Sequence, residues 1–192
     1  MTEKIKKIIS ASVATKQQIL NDDAFIRKIE NTVDVIVHAL DKGNRIWFCG
    51  NGGSAADAQH LAAEFSGRFY KNRKALPAEA LHCNTSYLTA VANDYSYDVV
   101  YARLIDGIAN EGDFVVGLST SGNSGNIVKA FEVARNKKVQ TVGFTGKEGG
   151  KMKPLSDYLL NIPSTDTPRI QESHIMLGHI ICQMVEELYF QS

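Results

Sequence analysis

The chain has 192 residues, enough for one domain with a substantial core, and no composition shift or Pro/Ser-rich linker divides it. Lys plus Arg and Asp plus Glu number 21 each, so no overall basic field draws in nucleic acid or an anionic membrane surface, and an anion must be caught locally. No segment approaches a membrane span, and the Lys-rich, amphipathic N-terminus lacks the continuous apolar stretch of a secretory leader, so the expected location is the cytoplasm.

In chain order, apolar residues recur at helical spacing from Ile5 to Leu40, and Asn21-Asp22-Asp23 breaks the run into two helices. Asp41-Lys42-Gly43-Asn44 supplies a glycine stop. Helices ahead of the first strand cannot all pack in the crossover layers of a sheet, so segment 1–42 is expected in contacts between subunits. Ile46, Trp47, Phe48 and Cys49 then read as a strand buried on both faces, and Gly50-Asn51-Gly52-Gly53 as a sharp loop. Ser54 is expected to cap the Ala-rich helix that follows. On that helix His60 and Glu64 stand four residues apart, hence on one face.

Four more apolar runs, 78–81, 114–118, 141–144 and 158–162, alternate with helical stretches 86–91, 97–108, 126–135 and 167–187. That alternation predicts an α/β fold, an open parallel sheet with helices on both faces, in which ligands bind beyond the carboxyl ends of the strands. The loops facing that edge are 50–54, 82–86, 119–124 and 145–150. The last helix is expected to start with Thr167 as cap and Pro168 as its first residue, and its apolar face is Ile170, Leu177, Ile181, Met184, Val185 and Leu188. Cys49, Cys83 and Cys182, all in or beside apolar runs, suit buried thiols in a reducing compartment. Gln191 and Ser192 read as the remnant of a cleavable tag, leaving a single domain over 1–190.

One loop is rich in chemistry. Ser119-Thr120-Ser121-Gly122-Asn123-Ser124 sets four hydroxyls and a glycine at the start of a helix, more than one cap needs, and so predicts a phosphate cradle built without Lys or Arg. Gly50-Asn51-Gly52-Gly53 has neither dinucleotide-binding spacing nor a following Gly-Lys-Ser/Thr, which argues against a nucleotide cofactor. Gln171, His174 and His179 interrupt the apolar terminal helix. Taken singly, such histidines are more often structural than catalytic, and a His60/Glu64 pair often only decorates a helix. Asn93-Asp94-Tyr95-Ser96-Tyr97-Asp98 reads equally as a binder of sugar hydroxyls or as a solvated turn. Arg68 and Arg169 read as aids to phosphate binding or as exposed ion pairs.

Taken together, Gly50 to His60, Ala92-Asn93-Asp94-Tyr95, Leu118 to Ser124, Thr145 to Gly150, and Pro168-Arg169-Ile170-Gln171-Glu172 with Gly178-His179 resemble the sugar isomerase (SIS) family, and more narrowly its branch acting on seven-carbon sugar phosphates. The resemblance spans nearly the whole chain. It implies a three-layer α/β/α sandwich with a five-stranded parallel sheet, and a homotetramer with active sites between subunits, which leaves open whether Glu64 and His179 come from one subunit or from two. The implied reaction interconverts sedoheptulose 7-phosphate and D-glycero-D-manno-heptose 7-phosphate through an enediol, feeding bacterial heptose synthesis. The resemblance makes Glu64 and His179 the acid/base groups and His60, Glu64, Gln171 and His179 the ligands of one zinc ion. It makes Asn51, Gly52, Gly53, Glu64, Asn93, Asp94, Ser119, Thr120, Ser121, Ser124 and Gln171 the substrate contacts. His82-Cys83-Asn84-Thr85 and Lys74 depart from the family pattern, which bears on substrate preference. A replication-initiator-associating adaptor of the same family is the rival reading, and it lacks the counterparts of Glu64 and His179, both present here. An isomerase of another sugar phosphate is the third.

Overall fold

The computed structural model describes residues 1–190, and the expected tag remnant, Gln191 and Ser192, lies outside them. Two helices open the chain, α1 (Thr2–Leu20) and α2 (Asp23–Asp41). The break falls where the Asn-Asp-Asp run predicts it, because Asp22 accepts the Phe25 amide at 3.0 Å and caps α2.

Five strands follow: β1 (Ile46–Gly50), β2 (Ala78–Ala80), β3 (Phe114–Ser119), β4 (Gln140–Thr145) and β5 (Tyr158–Asn161). They pair in parallel in the order β2-β1-β3-β4-β5. Every residue of β1 and β3 is buried, as continuous apolar runs demand of strands covered on both faces. Alternation divides them between two cores. Ile46, Phe48, Phe114, Val116 and Leu118 face the layer of α2, α3 (Gly53–Ser66) and α7 (Thr167–Tyr189). Trp47, Cys49 and Val115 face α5 (Val100–Ile108) and α6 (Gly125–Asn136), with α4 (Thr85–Asp94) at the margin. The α/β/α sandwich is as expected.

At the amino edge of the sheet Asp113 is 2% exposed and accepts from the amides of Arg45 (2.9 Å) and Asn110 (3.0 Å) and from the Trp47 indole N–H (3.0 Å). Its burial is tolerable because both oxygens are engaged. α1 lies outside the sandwich, buries only Thr15 and Ile19, and is tied to α7 where Ser12 donates to Glu172 (2.6 Å) and Arg169 donates to the Ile8 carbonyl (3.1 Å).

Several local expectations are corrected. α3 is capped by the Gly52 backbone, and Ser54 is a buried residue inside the helix. α7 has Asp166 at its cap, with Thr167 and Pro168 both inside its first turn. α4 runs through Asp94, so Asn93 and Asp94 sit on its last turn, and 97–108 divides into a 3-10 turn (Tyr97–Val99) and α5. A second 3-10 helix, Gly150–Leu155, follows the loop 145–150 in a segment without helical periodicity of its own, and Pro154 lies inside it. Cys49 and Cys182 are buried, but Cys83 is exposed at the end of β2.

Candidate active site

The strand order changes direction between β1 and β3, since the chain leaves β1 for β2 on one side and for β3 on the other. Loops after these two strands therefore diverge and leave a crevice at the carboxyl edge. A reciprocal amide pair crosses it. The Asn51 side chain donates to Asn126 Oδ1 (2.9 Å) and Asn126 donates back to Asn51 Oδ1 (2.8 Å), with the Tyr97 hydroxyl donating to the same Asn51 oxygen (3.1 Å). Asn126 is 2% exposed, so the pair fixes the glycine loop against the hydroxyl loop.

In the hydroxyl loop Ser119 Oγ and Ser124 Oγ lie 2.8 Å apart, and Asn123 folds back on Ser121. Gly122 holds φ 66°, and a side chain there would run into the Gly149 carbonyl, which supports the loop from below. Neither Gly52 at the start of α3 nor Ser124 at the start of α6 makes a side-chain cap. The first N–H groups of the two helices, those of Gly53, Gly125 and Asn126, are thus left to an anion at the crevice, where the helix dipoles favour it, while the next amides bond to Asn51, Gly52 and Ser124. Thr120 and Ser121 also open on a cavity of about 200 Å³ shared with Lys147, Ser164 and Thr167.

The groups expected to act as acid, base and metal ligands stand on α3 and α7. Gly178 lies so close to Leu61 that a Cβ on it would sit 2.5 Å from the leucine methyls, and their neighbours in sequence, His179 and His60, are brought into contact. The Nε2 atoms of His60 and His179 are 2.9 Å apart, and Glu64 Oε1 is 3.3 Å from His60 Nε2. The three residues each present one donor atom within 4.8 Å of the others. Two imidazole nitrogens at that distance need a proton or a cation between them. With a carboxylate beside them, they form a donor set that suits zinc. Glu64 and His179 come together within one chain here, through the α3–α7 contact.

Gln171, two turns earlier on α7, sets its amide against Gly53 at the start of α3. Asn93 and Asp94 bond to each other (3.0 Å) on the exposed end of α4. Arg169 is partly buried, paired with Glu172 at 2.5 Å and bonded to α1, so it serves the α1–α7 junction. His174 is fully buried and bonded to the Thr145 carbonyl. Asp57 escaped the sequence reading. It lies on the His60 face of α3, where burial pushes its carboxyl above the usual range and the imidazoles of His60 and His179 pull it back. Its spacing of three from His60 and seven from Glu64 was the available signal. Phe69, Arg73, Asn126 and Glu186 were missed as well, and no periodicity marks them.

The matching family model, described as SIS domain, covers residues 6–146 and defines the class to which this sheet order and edge loop belong. The phosphoheptose isomerase of Aneurinibacillus thermoaerophilus is 49% identical over 100% of this chain and 97% of its own length. That of Clostridium acetobutylicum is 48% identical over 97% and 95%. Among solved structures, phosphoheptose isomerase GmhA from Neisseria gonorrhoeae has a TM-score of 0.91 at 36% identity, covering 97% of this chain and 98% of that one. A phosphoheptose isomerase from Francisella tularensis has a TM-score of 0.93 at 30% identity, with the same coverage. The chain belongs to the phosphoheptose isomerase family of SIS-domain proteins.

Proposed function

We propose that this protein is an aldose–ketose isomerase that interconverts sedoheptulose 7-phosphate and D-glycero-D-manno-heptose 7-phosphate, an early step in heptose biosynthesis. The observation that carries the reading is the meeting of the Glu64 carboxylate and the His179 imidazole around His60 beside the hydroxyl loop, in a chain about half identical to phosphoheptose isomerases. In the ketose, a base takes a proton from C1, the electron pair forms the C1=C2 bond of an enediol, and a proton returns to C2 as the carbonyl is made at C1. The reaction needs no outside oxidant or reductant. Glu64 and His179 are the groups that remove and return these protons. Ser119, Thr120, Ser121 and Ser124, with the open α6 amides, hold the phosphate. Asn51, Gly52, Gly53, Asn93, Asp94 and Gln171 orient the sugar. Asn51 spends its oxygen on Asn126 and Tyr97, so it faces substrate as a donor.

His60, Glu64 and His179, with Gln171, would hold a zinc ion, which when bound supplies Lewis-acid polarisation of the sugar carbonyl. α1 supports a homotetramer, since it exposes Ile5, Ile8, Ile9 and Val13 by 48–58% along one face. A phosphorylated sugar substrate favours a cytoplasmic enzyme, and no helix among the described residues is long and apolar enough to cross a membrane.

Glu64→Gln keeps shape and removes the base. Turnover of sedoheptulose 7-phosphate is expected to fall on the order of 10²–10⁴-fold with the circular dichroism spectrum unchanged. Turnover at the parent rate would overturn the assignment.

A further inference from the structure

We infer that Phe69, aimed by a buried Arg73–Glu186 pair, is a positioning residue that sets the ring of His179 for proton transfer. The inference rests on the reading of Glu64 and His179 as the acid–base pair. Between the end of α3 and β2 the chain has no regular structure, yet it is tied down at one point. Glu186 on α7 is 1% exposed and accepts the amides of Phe69 (3.1 Å), Tyr70 (2.8 Å) and Lys71 (2.8 Å) as well as Arg73 Nε (2.8 Å). Burial pushes this carboxyl up, and the four donors outweigh burial and hold it below the usual carboxylate range. The guanidinium in turn donates to the carbonyls of Glu64 (2.7 Å), Phe65 (2.7 Å), Gly67 (3.0 Å) and Lys74 (3.2 Å), so it closes the C-terminus of α3.

A buried ion pair gives little net stability over an apolar pair of the same shape, so its effect is sought in geometry. Three successive amides converging on one carboxylate allow few paths for the backbone, and this path lays the Phe69 ring on His179 at 5.8 Å between centroids and 30° between planes. Tyr70 beside it is left 71% exposed. His60 meets the His179 ring edge-on at 5.1 Å and 69°. The imidazole is therefore held on two sides, and the same guanidinium that steadies the loop also holds the peptide carbonyl of Glu64. Misplacement of a reacting group by about 1 Å can cost 10²-fold in rate, so loss of one side matters.

The test measures kcat and KM for sedoheptulose 7-phosphate in Phe69→Leu, Phe69→Tyr, Arg73→Lys and His179→Gln. Phe69→Leu is expected to lower kcat roughly tenfold with KM within about twofold, and Phe69→Tyr, which restores an aromatic face, to return kcat to near the parent value. Arg73→Lys, which keeps the charge but not the fork, should behave as Phe69→Leu does. If it fails to fold, the Phe69 variants at their half-buried site decide. Parent kcat in Phe69→Leu, or equal losses in the Leu and Tyr variants, overturns the inference. If His179→Gln is inactive while Phe69→Leu is unimpaired, this inference alone fails, whereas an active His179→Gln removes the acid–base reading beneath it.

Discussion

His174 and His179 are five residues apart on one helix and look alike in the sequence, yet packing gives them opposite fates. His179 turns toward α3 and His60. His174 turns inward, donates to the Thr145 carbonyl at 3.1 Å, meets the edge of Phe144, and is pushed by burial from 6.5 down to about 4. The unfolded chain protonates this imidazole below about pH 6.5 and the folded chain does not, so stability present above that pH is lost as pH falls toward 4. The full span corresponds to roughly 3 kcal/mol. Urea unfolding at pH 7 and pH 5 is expected to show this loss, and His174→Gln, whose amide N–H can replace the Nε2–H, is expected to flatten it. An equal pH slope in both proteins would assign the acid sensitivity elsewhere. Only the family resemblance separated the two histidines in advance. Composition and spacing treat both as polar interruptions of an apolar face.

Strand runs, helix spacing and the hydroxyl loop were legible because each is a local pattern with its own period. The meeting of α3 and α7 was legible only through the family resemblance, since it joins residues more than a hundred positions apart. Its enabling residue, Gly178, reads in sequence only as a weak point in a helix. Ser54 misled for a related reason: a serine after a glycine loop signals a cap, but here the helix begins two residues after Asn51, and the Asn51 and Gly52 carbonyls take its early amides in place of a serine hydroxyl. Gly178→Ala tests the α3–α7 contact. The added methyl meets Leu61, itself 1% exposed, and is expected to cost about 1–3 kcal/mol in denaturant unfolding and at least tenfold in kcat as the helices part. Adding Leu61→Ala makes room for the methyl and should recover part of the kcat. No recovery in the double variant would mean that the helix spacing does not control the His60–His179 contact.

Across the whole molecule, the proposed acid–base pair comes together within one chain, while the apolar face of α1 is not covered by that chain. Ile5, Ile8, Ile9 and Val13 recur at helical spacing and point away from α7. Ile9→Glu with Val13→Glu removes no contact buried within the chain, so the subunit is expected to stay folded and the assembly to dissociate, with a fall in sedimenting mass in analytical ultracentrifugation. Unchanged mass relative to the parent would overturn the proposed assembly through α1. An expectation of oligomer contacts was readable from the surplus helices, but which residues stay uncovered became visible only once α1 was seen lying outside the sandwich.

Asp113 and the Trp47 indole sit at the opposite end of the strands from His60 and His179. The six residues of β3 separate the two ends by roughly 17–20 Å. The Asp113–Trp47 tie thus anchors the amino edge of the sheet at a distance from the imidazole pair. A substitution at Asp113 therefore loosens the floor of the sandwich without touching a group at its mouth.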